Sequence, residues 1–239
     1  MLIVGLTGGI ACGKSTVSRR LKERHNLPIV DADKIAKDIV EPGHSAYNKI
    51  VSYFKEKIPD LLSKDGHLNR PALGKWVFAH PNDLKVLNGI THPTIRYVMC
   101  QQVLKYYLKG YSLCILDIPL LFESGLDQFC GVTINVVCDD ELQLERLQIR
   151  NPELSIEDAR NRIKSQMPME LRRVRSDYVI NNDDTLEKLY DQVDQLVKNI
   201  KPGTIRTLLE YFPPFGCLSA STVYASRQIA AKWKQTKQE

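Results

Sequence analysis

Leu2-Ile3-Val4-Gly5-Leu6-Thr7-Gly8-Gly9-Ile10-Ala11-Cys12-Gly13-Lys14-Ser15 starts as an apolar run, turns through closely spaced glycines and ends on a lysine and a hydroxyl. An apolar run without polar alternation predicts a strand buried on both faces, and Lys14 to Arg24 has helical character. Between them Gly8 to Ser15 satisfies GxxxxGK[ST], the P-loop. Glycines at 8, 9 and 13 let the backbone N–H groups, those of Ile10, Ala11 and Cys12 included, turn inward around phosphates. The helix N-terminus adds its partial positive charge. Lys14 reaches the β- and γ-phosphates in such a loop, and the Ser15 hydroxyl ligates Mg²⁺. Strand, loop and helix in this order point to an enzyme that uses a nucleoside triphosphate.

Further short strands are expected downstream. Leu27 to Val30 ends at Asp31-Ala32-Asp33, Gly110 to Asp117 carries its aspartate at the carboxyl end, and Val132 to Val137 and Tyr178 to Asn181 complete the set. Helical patterns separate them, so the fold class is α/β: a P-loop NTPase fold with a five-stranded parallel sheet flanked by helices. The interval from Asp31 to Tyr111 is far longer than the ~30 residues of a βαβ unit. Its surplus is mostly helical, over Ala46 to Glu56 and over Pro81 to Leu108 as one long helix or two. Such an insertion suits a cap over an acceptor site, and helices that only pad the core would look the same. Asp140 to Arg150 and Ser155 to Gln166 predict a helical pair, the second begun by a capping box at Ser155. Arg146, Arg150, Arg160, Arg162, Arg172, Arg173 and Arg175 crowd this region, as a phosphate-closing lid or a solvated face would require. Asp184 to Asn199 is an amphipathic helix that finishes the sheet domain. Beyond Pro202-Gly203, a Pro-Pro turn and a helix over Val223 to Trp233 form a tail, either packed on the body or serving as a docking segment.

Composition narrows the function classes. Lys plus Arg number 33 against 28 Asp plus Glu, a formal charge of +5 over 239 residues. Basic residues interleave with acids, so the electrostatic footprint of a nucleic-acid binder is missing and no nucleic-acid partner is expected. The 6 cysteines form no CxxC pair and no metal-ligand spacing, which fits unpaired thiols in a reducing compartment. No signal peptide or transmembrane segment is read, and the expected location is cytoplasmic.

Neither Asn-Lys-x-Asp nor a switch Asp-x-x-Gly occurs, which argues against a GTPase, and the length argues against a motor or helicase. A kinase of a small acceptor remains. An acceptor hydroxyl must be held in line with the γ-phosphate and lose its proton as the bond forms. Asp31 and Asp33, expected at the carboxyl end of the second strand beside the P-loop strand, stand where open α/β sheets bind ligands. One of them can instead cap the following helix. Asp33 takes the catalytic role here, and Asp31 the cap or metal support.

GLTGGIACGKS (5–15), VDADKIAKDIVEPG (30–43), THPTIR (91–96), LDIPLLFESGL (116–126), ERLQIRN (145–151), Gln166 and SDYVINND (176–183) together resemble the dephospho-CoA kinases. The form resembled is the eukaryotic one with a C-terminal extension. The resemblance covers residues 2 to about 200 and implies transfer of the ATP γ-phosphate to the ribose 3′-hydroxyl of dephospho-CoA, the last step of coenzyme A biosynthesis. It implies a kinase domain over 1–203, with a helical CoA-binding insertion near 40–110 and a lid near 140–170, and a 204–239 extension of open role. Gly8 to Ser15 would hold ATP and Mg²⁺, Asp33 would orient the acceptor, and Lys14 and Arg150 would meet the transferring phosphate. His92, Arg96, Leu120, Leu121 and Glu123 would line the dephospho-CoA site with Asp33. The extension would be the element for association with other CoA-synthesis enzymes or with an ER or mitochondrial membrane surface. Two departures stand out: Ala11-Cys12 where the family usually has Gly-Ser or Gly-Ala, which raises thiol oxidation of Cys12, and Arg172 in place of the usual lysine.

Overall fold

The computed structural model describes residues 1–203, 207, 209–210 and 213–236. Strands β1 (Leu2–Gly8), β2 (Ile29–Asp31), β3 (Leu113–Asp117), β4 (Val132–Val137) and β5 (Tyr178–Asn181) form one sheet in the order β2-β3-β1-β4-β5. β1 runs parallel to β3 through Leu2↔Leu113 to Leu6↔Asp117, and parallel to β4 through Val4↔Val132 to Gly8↔Val136. The expected parallel sheet is present, with one correction: β3 lies between β2 and β1, so the DAD segment does not leave a strand adjacent to the P-loop strand. The reason is the crossover: helix α1 (Lys14–Glu23) carries the chain past one strand position, and β3 later fills the gap.

Two compact units divide the chain: Met1–Val30 with Tyr106–Glu239, and Asp31–Lys105. In the first, every residue of β3 is buried, which is why these strands read as continuous apolar runs. Val4, Leu6, Ile115, Ile134 and Val136 pack with Val17 and Leu21 of α1 and with Leu189, Val193 and Val197 of α9 (Leu186–Ile200). Each such side chain contributes ~1.5–3 kcal/mol relative to exposure. Gly5 is bare because a Cβ there would stand 2.6 Å from Leu121 Cδ2.

The second unit is helical: α2 (Ala32–Asp38), α3 (Ser45–Phe54), α4 (Arg70–Ala79) and most of α5 (Pro81–Leu108). Ile50, Phe54, Ile58, Leu61, Leu73 and Val77 make its core. Asp83 ties its helices together. Its Oδ1 accepts from Lys57 Nζ at 2.8 Å and Tyr53 OH at 3.0 Å, and its Oδ2 from Trp76 Nε1 at 2.8 Å. Lys57 foremost, with Trp76 and Tyr53, holds this carboxyl down at about 2 although burial opposes it. The Pro81 to Leu108 stretch is one helix. Pro93 sits inside it, and the Thr91 and Thr94 hydroxyls donate back to Leu87 O at 3.0 Å and Ile90 O at 2.9 Å around the proline.

Helices α6 (Asp140–Arg150), α7 (Ile156–Lys164) and α8 (Met169–Arg175) follow β4. Ser155 caps α7 by accepting from Asp158 N at 3.0 Å, as its position promised. α2, α4 and α8 were not anticipated; α2 and α8 span 7 residues each, too short for a periodic signature.

The tail helix α10 spans Pro213–Thr236, so the expected Pro-Pro turn is instead its first turn, where proline is tolerated. It packs on the first unit. Tyr224 stacks on Phe129 at 5.7 Å between ring centroids. Arg227 donates to Cys130 O at 3.0 Å, Gly131 O at 2.9 Å and Asp177 Oδ1 at 3.0 Å, and also pairs with Asp177 Oδ2. The Met1 amino group pairs with Glu210 just before the helix.

Candidate active site

The loop from Gly9 to Gly13 leaves the end of the central strand and runs into α1. Gly13 at φ 94° lies in the left-handed region, and a Cβ there would also fall 2.2 Å from Asn182 Nδ2. Glycine is therefore required on two counts. Ala11 adopts φ 60°, a left-handed conformation for a residue with a Cβ, at the position where glycine is usual in the family it resembles.

Three side chains from distant segments hold the loop's shape. Gln166 Oε1 accepts from Ile10 N at 2.9 Å, Gln143 Nε2 donates to Ile10 O at 2.8 Å, and Asn182 Nδ2 donates to Cys12 O at 2.9 Å. Arg146 in turn donates to Asn182 O at 2.9 Å. Thr7, buried at the strand's end, donates to Pro119 O at 2.7 Å and ties the loop's base to the segment after β3. A loop held this way keeps its shape before ligand arrives, which lowers the ordering cost of binding.

Lys14 pairs with Asp117, the last residue of β3, whose side chain is only 6% exposed. Sequence reading placed Asp117 at a strand end without assigning it a role; the parallel register of β1 and β3 brings it to the loop lysine. Ser15 is exposed at the start of α1. Its hydroxyl and the Asp117 carboxylate are hard oxygen donors, the chemistry that Mg²⁺ prefers, so the residues present fit that ion.

The Cys12 and Cys138 sulfurs lie 3.2 Å apart, both thiols buried, with Cys138 donating to Cys12. That hydrogen bond lowers the Cys12 pKa against burial, with the Arg172 and Arg146 charges assisting, and the Cys138 pKa rises correspondingly.

The remaining expected residues fall in several places. Asp33 lies in the first turn of α2, in the helical unit, and Asp31 is the N-cap, accepting from Lys34 N at 2.9 Å. The choice between capping and catalysis thus leaves the Asp33 carboxylate without the capping duty. His92 and Arg96 are one helical turn apart on α5 and both exposed. Leu120 is 46% exposed, whereas Leu121, expected to line the substrate site, is fully buried against Gly5 and packs the core. The exposed Glu123 accepts from Met167 N at 3.1 Å. The arginine-rich stretch divides. Arg150, Arg160 and Arg162 are exposed, while Arg175 pairs with Asp127 at 3.2 Å and lies 4.8 Å over the Phe122 ring. Arg172 is buried.

Asp117, Gln143 and Asn182 are the site residues that sequence reasoning passed over. Asp117 had a usable signal in its place at a strand's carboxyl end. Gln143 had none, because a single amide in a helix is commonplace; Asn182 stood inside the SDYVINND segment, where nothing gave it a role of its own.

A family model described as dephospho-CoA kinase matches residues 2–188. The dephospho-CoA kinase CAB5 of Saccharomyces cerevisiae is 63% identical over 237 residues, covering 99% of this chain and 98% of the relative, tail included. A Bacillus cereus dephospho-CoA kinase is 45% identical over 198 residues, 83% of this chain and 96% of its own. Among solved structures, a Campylobacter jejuni dephospho-CoA kinase superposes with TM-score 0.64 at 30% identity, covering 83% of this chain and 96% of that one.

Proposed function

The chain belongs to the dephospho-CoA kinase family, and from that premise we propose how its residues carry the γ-phosphate of ATP to the 3′-hydroxyl of the dephospho-CoA ribose, giving CoA and ADP. The observation that carries the reading is the loop itself: Lys14 beside Asp117 and an open Ser15, on a backbone held by Gln143, Gln166 and Asn182.

ATP lays its phosphates along the Gly8 to Ser15 amides, and the α1 N-terminus adds favourable potential. Lys14 exchanges its Asp117 contact for the β- and γ-phosphate oxygens as ATP enters. Mg²⁺, held through Ser15 and Asp117, would neutralise charge on the phosphates. Asp33 orients the acceptor hydroxyl and takes its proton late in the reaction, since a carboxylate is a weak base whose main contribution is alignment. Arg150, exposed at the end of α6, supplies positive charge to the transferring phosphoryl group. His92, Arg96, Leu120 and Glu123 present polar and apolar surface for dephospho-CoA. The residues near 140–170 act as the lid and the helical unit as the acceptor-binding insertion. No helix among the described residues is long and apolar enough to cross a membrane.

The test is ADP release with Mg-ATP and dephospho-CoA, run beside AMP and shikimate and with the phosphate position of the product determined. Dephospho-CoA alone should support turnover. Asp33→Asn should lower kcat by about two orders of magnitude or more with ATP affinity nearly unchanged. Near-full turnover by that variant would remove Asp33 from the chemistry.

A further inference from the structure

We propose that Arg172 binds the triphosphate of the nucleotide, its guanidinium pressed against the P-loop at Gly9 as a buried counter-charge for phosphate. This deepens the ATP-site reading above and rests on it.

Arg172 is 2% exposed. A guanidinium is protonated at any pH the folded protein meets, so a full positive charge is buried here. Such a charge is normally paired with an anion or heavily hydrogen-bonded, because desolvation is costly. Neither holds. The hydrogen bond it makes is from NH2 to Met167 O at 2.9 Å, while its buried Nε has no partner. No carboxylate forms an ion pair with it among the described residues. The groups that act on it electrostatically are Glu123 and Cys12. Glu123 is exposed and accepts from Met167 N, and Cys12 is a thiol engaged with Cys138. Burial accordingly pulls the Arg172 pKa down, with Glu123 and Cys12 only partly opposing.

Its position explains why the charge is tolerated. A Cβ on Gly9 would lie 3.3 Å from Arg172 NH1 and 2.8 Å from Gln143 Nε2. A Cβ would equally meet Cys12 Sγ at 2.8 Å, so a bare Gly9 makes room for Cys12 and Gln143, and the Arg172 guanidinium lies next to them at the point where the loop amides turn toward phosphate. Arg173 and Arg175, in the same helix turn, could answer the α8 C-terminal dipole from a more exposed place; Arg172 alone of the three is turned fully inward. A planar fork of donors beside a phosphate-cradling backbone matches a tri- or diphosphate oxygen pair. The lysine usual here in the resembled family would keep the charge without the fork.

The experiment compares wild type, Arg172→Met and Arg172→Lys by calorimetric titration with Mg-ATP and with inorganic tripolyphosphate, alongside ligand-free melting. Arg172→Met should bind both ligands about 10- to 100-fold more weakly, the range for a lost hydrogen bond between charged groups. Its ligand-free melting temperature should equal or exceed that of wild type, since an uncompensated buried charge has gone. Arg172→Lys should recover part of the affinity. Binding by Arg172→Met within about twofold of wild type would overturn the proposal. So would weak binding that Arg172→Lys fails to improve while the ligand-free protein melts lower, because Arg172 would then be a packing residue. Wild type that binds neither ligand would instead refute the nucleotide-site reading, and this proposal with it.

Discussion

Replacing Arg227 with methionine should loosen the tail helix from the sheet and destabilise the protein without touching the nucleotide loop. Arg227 donates to Cys130 O and Gly131 O at 3.0 and 2.9 Å and forms a two-pronged pair with Asp177. Asp177 also accepts from Thr133 N at 2.7 Å and Thr133 Oγ1 at 2.8 Å, so losing the arginine leaves a carboxylate anchored beside β4. Shielded hydrogen bonds to charged groups contribute ~1.5–3 kcal/mol each, whereas solvent-exposed pairs rarely exceed about 1 kcal/mol. The arginine side chain is 19% exposed and the aspartate 35%, so the ion pair belongs near the lower figure and the carbonyl contacts between the two. The combined loss is about 2–3 kcal/mol, or roughly 5–10 °C in melting temperature for a chain of this size.

The sign with pH follows from Asp177. Burial would raise its pKa, but Arg227 and Thr133 outweigh burial and bring it below 3.8. A carboxyl depressed in the folded state contributes stability that is present above its unfolded pKa and lost as pH falls through the folded value. The gap between wild type and Arg227→Met should therefore be full above the ordinary 3.8 of the carboxyl and shrink as pH falls below it. Urea unfolding followed by circular dichroism at several pH values measures it. A loss below about 0.5 kcal/mol, or a gap that does not narrow in acid, would refute the clasp as a stabilising contact.

The other tests address the loop and the helical unit. Ala11→Gly should stabilise the ligand-free protein by about 1 kcal/mol, because it removes a left-handed alanine, while Gly13→Ala should lose nucleotide binding through collision with Asn182; thermal melts with and without Mg-ATP separate the two effects. Asp83→Asn should abolish an acid-sensitive step of the helical unit. The wild-type carboxyl sits at about 2, so its contribution is complete above its ordinary 3.8 and disappears as pH falls through about 2. Trp76 fluorescence, reporting through its indole contact with Asp83, is the readout, and an unchanged acid profile would count against the clasp.

Several features were legible in the chain because they are local. The strand–glycine–lysine order of residues 2 to 15 fixes a phosphate loop through backbone geometry and one side chain's charge. Continuous apolar runs mark strands buried on both faces, Ser155 marks its helix, and the excess length after Asp33 marks the helical unit. Tertiary structure alone decided what is non-local. It inserted β3 between β2 and β1, carried Asp117 to Lys14, and brought Gln143, Gln166 and Asn182 onto one loop from positions more than a hundred residues away in sequence. It also sent Leu121 into the core, turned Arg172 inward from a row of otherwise similar arginines, and clasped the tail through Arg227. Hydrophobic periodicity reports which face of an element is buried. It carries no information about which polar group on another element will meet that face, because that depends on strand order and register, set by the packing of the whole sheet.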